Sequence, residues 1–260
     1  MDLGLDGDAA LTLASSAGLG GASAESLARE GADVTVCGRD PDRLAAAEER
    51  LDDIGAGDVL ARQADVTDPD DVERLVAETV ETFGGLDHLV TSAGGPPPGS
   101  VLDLGDEEWY AAYDLLVMSV VRAVRAAHPH LEDGGGTITC IASRTVREPS
   151  EGLVLSNAVR RGVVGLVKTV SREFAPAVRT NAVLPGPFET SRIEELVEHG
   201  VESGEYESYE AGLSEFAESV PAGRVGDPRE LGDTVAFLAS DRGGFVNGVA
   251  LPVDGGAIRS

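Results

Sequence analysis

The chain is 260 residues long and carries 46 acidic against 20 basic side chains, which gives a formal net charge of −26 at pH 7. This charge argues against nucleic acid and anionic membrane surfaces as partners, because both are strongly negative themselves. The length allows one α/β domain with a full hydrophobic core.

The charge also indicates the salt concentration in which the protein works. Only one basic residue, Lys168, is a lysine. The repulsion among so many carboxylates destabilises a compact chain at low salt, whereas in molar salt the Debye length shrinks to about 3 Å and the repulsion largely disappears. We therefore expect a halophilic protein from a salt-rich cytoplasm.

The first residues, MDLGLDGD, lack the basic region of a signal peptide, and no apolar run reaches membrane-spanning length, so we expect a cytoplasmic location.

The first structural unit runs from residue 9 to residue 39. Residues 9–14 are apolar except for Thr12, which predicts a strand buried on both faces. A glycine-bearing turn over residues 15–21 follows, and apolar residues then recur at helical spacing until Gly31. A second strand is predicted around Val34–Cys37. Strand, glycine turn, helix and strand in this order are typical of a dinucleotide-binding unit.

The glycine spacing within this turn is G-x-x-x-G-x-G, with Gly18 and Gly20 in place and Ala14 at the first position. Such a turn lets backbone N–H groups and the helix N-terminus face a pyrophosphate. The alternative is a tight turn without a ligand. The predicted cofactor contacts in this segment are Ser15, Ser16, Gly18, Leu19 and Gly20.

The end of the second strand bears on the choice of cofactor. Sites for NAD usually carry an acid here for the ribose 2′-OH, but this chain has Gly38 followed by Arg39. A guanidinium suits a 2′-phosphate, so the pattern favours NADP over NAD. The alternative is an exposed arginine that pairs with Asp40 or Asp42. At the exit of the third strand, Asp65 either contacts the adenine, together with Val66, or shapes the turn.

The remaining periodicity predicts a single domain over residues 1–260 with a seven-stranded, doubly wound parallel sheet and helices on both faces. Further helices are predicted at 41–54, 69–83, 106–131, 153–174 and 228–240, and further strands at 58–63, 86–91, 136–142, 180–184 and 249–253. The acidic segment 189–220 is predicted to be a partly helical lid over the substrate. Two strongly apolar helices, 106–131 and 153–174, predict contact with a partner subunit in a dimer or tetramer.

Cys37 and Cys140 lie in predicted strands and are interpreted as buried thiols, with no disulfide and no metal site.

In order and kind, these motifs resemble the short-chain dehydrogenase/reductase family over essentially the whole chain, and most closely its atypical 3-oxoacyl carrier-protein reductase-like branch. The motifs are ASSAGLG (14–20), Asp65-Val66, SAG (92–94), TITCIAS (137–143), the N-x-x-x-P-G segment (181–186) and the final NGVALPVDGG. The resemblance implies a Rossmann fold and an oxidoreductase that uses NADP or NAD on a small hydroxy or oxo compound. It also implies further cofactor contacts at Ala93, Gly94, Pro185, Gly186, Phe188 and Thr190.

The catalytic positions depart from the family pattern. The family moves a proton with a Ser-Tyr-Lys set helped by an Asn, because a carbonyl that becomes an alkoxide needs a hydroxyl donor and a cation that lowers the pKa of that donor. The strand end supplies Ser143, but we place the Tyr-x-x-x-Lys slot at Leu153 and Asn157, and the asparagine position at Leu116. We expect Ser143 to bind the substrate oxygen and Asn157 to orient the nicotinamide ribose.

Charged residues near Ser143 are candidates for substrate binding. Arg147 is the predicted anchor for an anionic substrate, with Arg144 and Arg160 as further cations nearby. Glu148 is a candidate acid or base if burial raises its pKa. The loss of the usual proton-relay residues leaves two alternatives open. One is a catalytically silent dinucleotide-binding sensor or supporting subunit, and the other is a dehydratase or isomerase with Glu148 as base.

Overall fold

The computed structural model describes residues 2–54, 57–218 and 220–259, with Arg192 and His199 described by their backbone alone. Its centre is a parallel seven-stranded sheet with the strand order β3-β2-β1-β4-β5-β6-β7. The strands are β1 (Ala9–Thr12), β2 (Asp33–Gly38), β3 (Val59–Gln63), β4 (His88–Thr91), β5 (Thr137–Ile141), β6 (Arg179–Pro185) and β7 (Ala250–Val253). The predicted doubly wound fold is confirmed.

Helices cover both faces of this sheet. They are α1 (Gly18–Arg29), α2 (Pro41–Ile54), α3 (Pro69–Phe83), α4 (Asp106–Tyr113), α5 (Ser119–Gly134), α6 (Val154–Glu173), α7 (Ser191–Ser203), α8 (Tyr209–Glu218) and α9 (Pro228–Ala239). One face carries α3, α5 and α6, packed through residues such as Leu75, Val124 and Val167. The other carries α1, α2 and α9, packed through residues such as Leu27 and Val235.

The helix predicted over residues 106–131 has a different form in the structure. A π-helical turn, Asp114–Met118, separates α4 from α5, and α5 continues to Gly134. Ser119, the first residue of α5, donates its hydroxyl to the carbonyl of Leu115 within this turn. Single π-turns inside α-helices recur beside functional sites.

The predicted lid, residues 189–220, contains the two short helices α7 and α8. The Tyr206 ring lies so close to Gly200 and Gly212 that a side chain at either glycine would collide with it. The segment is therefore a packed helical pair, which agrees with the helical part of the prediction. Among the described residues, no helix is both long and apolar enough to cross a lipid bilayer.

Both cysteines are buried in strands, as predicted. Burial raises the pKa of the Cys37 thiol to about 11, with a smaller opposing effect of the Ala14 N–H, and burial raises the pKa of the Cys140 thiol equally, to about 11. Both side chains are therefore neutral thiols at neutral pH.

Candidate active site

A cavity of about 1090 Å³ opens at the carboxyl ends of the strands. It is centred where the strand order reverses, because β2 and β4 lie on opposite sides of β1. Ligands of open α/β sheets bind at this switch point. We call the part lined by 14, 16–20, 38–41, 43 and 64–66 the dinucleotide end. The part lined by 143–145, 153, 156 and 160, with 193, 196 and 216 from the predicted lid, is the substrate end.

The dinucleotide end is built largely from backbone. Gly18, Leu19 and Gly20 line it and begin α1, so the free N–H groups of the first helical turn lie at the cavity. Gly18 has φ +62°, a left-handed conformation that favours glycine. A Cβ on Gly20 would come within 2.7 Å of the Ala14 carbonyl oxygen. This close approach creates a cradle that a pyrophosphate fits, because it offers main-chain donors without obstructing side chains.

The residues before this turn leave the cradle open. Ala14 adopts φ +47°, the left-handed conformation for which the motif has glycine, and its N–H donates to the Cys37 sulfur at 3.3 Å. Ser15 is completely buried, where its hydroxyl donates to the Thr12 carbonyl at 2.6 Å and accepts from the Cys37 N–H at 3.1 Å. The predicted cofactor contact at Ser15 is therefore corrected to a structural role, whereas Ser16 lines the cavity.

Arg39 lies at the rim of the dinucleotide end with its side chain 81% exposed. Its guanidinium is 4.0 Å from the Asp65 carboxylate rather than paired with Asp40 or Asp42. Asp40 instead accepts hydrogen bonds from main-chain N–H groups at the start of α2. Arg43, in the first turn of α2, also lines the cavity. Two guanidiniums therefore lie at the edge where a 2′-phosphate would be expected.

Asp65 lines the cavity and also organises its own turn. Partial desolvation raises its pKa, but the N–H and hydroxyl of Thr67 together outweigh it and hold the pKa below its usual value. The other predicted cofactor contacts all line the cavity, namely Val66, Ala93, Gly94, Pro185, Gly186, Phe188 and Thr190.

Three hydroxyl groups form a hydrogen-bonded chain at the substrate end. Ser143 precedes a short 3₁₀ turn, and its oxygen accepts from the Thr145 N–H at 3.2 Å and from the Thr145 hydroxyl at 3.0 Å. The Thr145 and Ser156 oxygens are 3.1 Å apart. Because Thr145 gives its proton to Ser143, Ser156 is the donor to Thr145. The Ser143 proton has no acceptor among the described residues and is available to a molecule in the cavity.

Arg160 lies one helical turn after Ser156 on α6 and is 9% exposed. Its guanidinium donates to the carbonyl oxygens of Ala142 at 3.3 Å and of Gly94 at 3.2 Å. It therefore places a permanent positive charge at the carbonyl oxygens that follow β4 and β5. Sequence reasoning considered Arg160 but did not select it, and it overlooked Ser156. The helical spacing of apolar residues could have identified both, because Ser156 and Arg160 share the buried face of α6 with Val163, Val167 and Val170.

Asn157 does not line the cavity. Its side-chain oxygen accepts from the Ser150 N–H at 3.1 Å, and its side-chain nitrogen donates to the Ser150 carbonyl at 2.8 Å. The position expected for Asn157 beside a nicotinamide ribose is therefore corrected, because α6 is rotated so that Ser156 and Arg160 face inward. Leu153 does line the cavity.

The two predicted substrate residues also lie outside the cavity. The exposed Arg147 donates to the Ala250 carbonyl at 2.8 Å. Glu148 accepts from the Arg259 N–H at 2.8 Å. Arg144, at the first position of the 3₁₀ turn, lines the substrate end instead. None of the described residues that line the cavity is a tyrosine, lysine or histidine.

A doubly wound sheet with a glycine-turn cavity at its switch point defines a dinucleotide-binding protein. Residues 13–257 match a family model described as enoyl-(acyl carrier protein) reductase. Glucose 1-dehydrogenase of Gluconobacter oxydans is 32% identical over 257 residues, which cover 96% of this chain and 91% of that protein. 3-oxoacyl-(acyl-carrier-protein) reductase FabG of Vibrio cholerae is 32% identical over 256 residues, which cover 98% of each chain. The chain belongs to the short-chain dehydrogenase/reductase family, whose members bind NAD or NADP.

Solved structures support the same assignment. L-sorbose reductase of Gluconobacter frateurii, complexed with NADPH and L-sorbose, superposes with a TM-score of 0.94 at 32% identity and full coverage of both chains. Aldohexose dehydrogenase of Thermoplasma acidophilum, in a ligand-free form, has a TM-score of 0.87 at 26% identity, with 99% of this chain and 96% of that chain covered.

Proposed function

We propose that this protein is an NADP-dependent oxidoreductase of a small hydroxy or oxo compound, with a hydroxyl chain and an arginine in place of the usual tyrosine and lysine. The observation that carries the proposal is the hydrogen-bonded series of Ser156, Thr145 and Ser143, in which the Thr145 hydroxyl donates to Ser143 and leaves the Ser143 proton available to a molecule in the cavity. A substrate oxygen bound there receives a hydrogen bond from the last hydroxyl of a connected series.

The choice of NADP is supported by the exposed Arg39 and by Arg43 at the rim of the dinucleotide end. The last residue of β2 is Gly38 and the residue that follows it is Arg39, so neither of these two positions carries a carboxylate. L-sorbose reductase, which is similar over its full length, binds NADPH. A nicotinamide dinucleotide bound in this cavity supplies or accepts the hydride.

The side chains of this protein handle the proton. In the reducing direction, Ser143 donates its proton to the oxygen that becomes negative, Thr145 replaces that proton, and Ser156 replaces the proton of Thr145. Ser156 lines the cavity and regains its own proton from water there. Arg160 keeps its own proton and acts through its charge, which stabilises the negative oxygen in a partly desolvated site. Ser156 and Arg160 have the four-residue spacing of the Tyr-x-x-x-Lys motif, and we propose that they occupy its two positions, three residues after the slot predicted from the sequence.

The test measures NADPH oxidation with a panel of small ketones and sugars in molar potassium chloride. Ser143→Ala and Ser156→Ala are each expected to lower kcat about 100-fold, the scale of proton-transfer catalysis. NADPH binding, measured by nicotinamide fluorescence, should be unchanged. Thr169→Ala is the matched control, because it removes an exposed hydroxyl from the same helix. Full activity of Ser156→Ala, or a loss confined to Asn157→Ala, would contradict the proposal.

The second candidate is a dinucleotide-binding sensor or supporting subunit without turnover. It is favoured by one observation, the lack of a phenol or ammonium group among the described residues that line the cavity. NADPH binding by the wild type without hydride transfer to any panel member would establish it. The dehydratase or isomerase alternative depended on Glu148, whose carboxylate bonds to Arg259 outside the cavity.

The predicted dimer or tetramer is part of the proposal. It is supported by large apolar side chains that face solvent, including Leu102 at 94%, Tyr110 at 75% and Phe245 at 105% exposure. The proposed salt-rich setting rests on the charge of the chain, and the proposed cytoplasmic location rests on the sequence features given above.

A further inference from the structure

We infer that the substrate is an oxo or hydroxy acid whose carboxylate is bound by Arg144. This inference deepens the proposed function and rests on it for the reaction, but the binding of the acid can be tested separately. In the reducing direction the carbonyl carbon gains a hydride as NADPH becomes NADP⁺, and the carbonyl oxygen gains a proton from Ser143. The carboxylate takes no part in this exchange and serves only as the handle by which the substrate is held.

The first argument is the distribution of charge within the cavity. Acidic residues outnumber basic residues 46 to 20 in this chain. The carboxylates among the described lining residues are Asp40 and Asp65, which both belong to the dinucleotide end. The substrate end is lined by two guanidiniums, Arg144 and Arg160, and by no described carboxylate. A positive pocket within so negative a protein selects anions by charge.

The second argument is the state of Arg144. Its side chain is half-buried, and its guanidinium has no hydrogen-bond or ion-pair partner in the part of the chain that the structure describes. Other arginines without a described side-chain partner, such as Arg125, Arg172 and Arg229, are exposed to water. A cation that is partly withdrawn from water without a partner raises the free energy of the unliganded protein, and a bound carboxylate removes that penalty.

The third argument is position. Arg144 directly follows Ser143 and begins the 3₁₀ turn that supports the hydroxyl chain. The anchor and the proton donor are therefore neighbours along the backbone, which suits a carboxylate near the reacting carbon. Ile193, Leu196 and Phe216 of the lid add apolar surface to the same end of the cavity. An apolar cover lowers the local dielectric constant, so that the ion pair is less screened by salt than a surface pair is.

The test uses binding to the protein loaded with NADP⁺, in which a keto compound binds without being reduced. Pyruvate, 2-oxobutanoate and acetoacetate are each compared with the corresponding neutral amide by calorimetry at one fixed salt concentration. The wild type is expected to bind at least one acid about tenfold more tightly than its amide. Arg144→Gln should abolish this preference without weakening amide binding, and Arg144→Lys should restore part of it, because a lysine keeps the charge but not the bidentate geometry.

Two further arginine variants make the test specific. Arg161→Gln is the matched control, since Arg161 is exposed, lies outside the cavity and donates to the Asn157 carbonyl of its own helix. It is expected to bind acids as the wild type does. Arg147→Gln tests the anchor that the sequence favoured. Loss of acid binding in Arg147→Gln but not in Arg144→Gln would overturn the inference.

The remaining outcomes separate the inference from the proposed function. Equal affinity of the wild type for each acid and its amide would refute an anionic substrate even if neutral ketones were reduced. Acid binding that depends on Arg144, without NADPH oxidation by any acid or ketone, would support the anion site and refute the reductase.

Discussion

The two ends of the cavity differ in whether main chain or side chains form them. The dinucleotide end is formed by main chain and small residues, with Gly18 and Gly20 at the start of α1 and charged side chains only at its rim. The substrate end is formed by side chains, with Ser143, Ser156 and Arg160 reaching in from two separate segments. The first end recognises a ligand through N–H groups that every residue carries, so it is sensitive to added volume. The second depends on particular functional groups, so it is sensitive to their chemistry.

The largest effect is expected from a variant that adds volume to the dinucleotide end. Gly20→Ala places a Cβ about 2.7 Å from the Ala14 carbonyl oxygen, and the backbone must shift to accept it. We expect the free energy of unfolding to fall by about 1–3 kcal/mol, the usual effect of overpacking. NADPH affinity should fall at least about tenfold, equivalent to about 1.4 kcal/mol. Chemical denaturation and fluorescence titration measure the two effects.

The matched control for Gly20→Ala is expected to change the free energy of unfolding in the opposite direction. Gly165 lies on the exposed side of α6, and a Cβ there meets no atom within 4 Å. Gly165→Ala should therefore stabilise the protein by about 0.5–1 kcal/mol through its better helix propensity, with unchanged NADPH binding. If both variants changed stability and NADPH binding alike, Gly20 would not lie as close to the Ala14 carbonyl oxygen as described.

A smaller effect is expected at the charged rim. Arg39→Gln should weaken NADPH binding about tenfold, since a hydrogen bond to a charged group contributes about 1.5–3 kcal/mol and Arg43 remains to compensate. NADH binding should not change, because it has no 2′-phosphate. Fluorescence titration with both cofactors, with the exposed Arg125→Gln as control, measures the difference. Tighter binding of NADH than of NADPH by the wild type would refute the cofactor preference.

The smallest effect concerns α9, which supports the dinucleotide end by packing against α1 where Gly232 meets the Ala22 carbonyl. The hydrogen bonds from the Arg224 guanidinium, and then that from the Asp227 N–H, lower the pKa of Glu230 to about 2. The folded-state pKa lies below the ordinary glutamate value of 4.5, so the stabilisation is present above pH 4.5 and is lost as the pH falls towards 2.

Glu230→Gln keeps the helix cap but removes the charge. We expect the melting temperature at pH 7 to fall by about 1–3 °C at low salt and by less in molar salt, because the pair is largely exposed. The pH dependence of stability between 4.5 and 2 should become flatter. Glu73→Gln, on the exposed side of α3, is the control for the loss of one carboxylate. An unchanged pH profile in Glu230→Gln would show that the ion pair does not form in solution.

The amino-acid sequence by itself determined the order of the elements, the doubly wound sheet and most of the dinucleotide end. Helices α2 and α3 have the predicted bounds, Pro41–Ile54 and Pro69–Phe83, because proline and acidic caps mark their starts locally. The glycine turn is equally local, since its residues are consecutive in the chain. Ser15 is the exception at this end, because its burial depends on a contact with Cys37 in a neighbouring strand.

Only the tertiary structure decided which side chains form the substrate end. The rotation of α6 about its own axis places Ser156 and Arg160 inward and Asn157 against Ser150, and that rotation is fixed by packing of the whole helix on the sheet. The choice of Arg144 over Arg147 depends in the same way on a 3₁₀ turn that the sequence does not signal. A shift of one residue along an α-helix turns a side chain by about 100°, so that Ser156 lines the cavity and Asn157 does not, and motif spacing alone leaves the chemistry of this end undetermined.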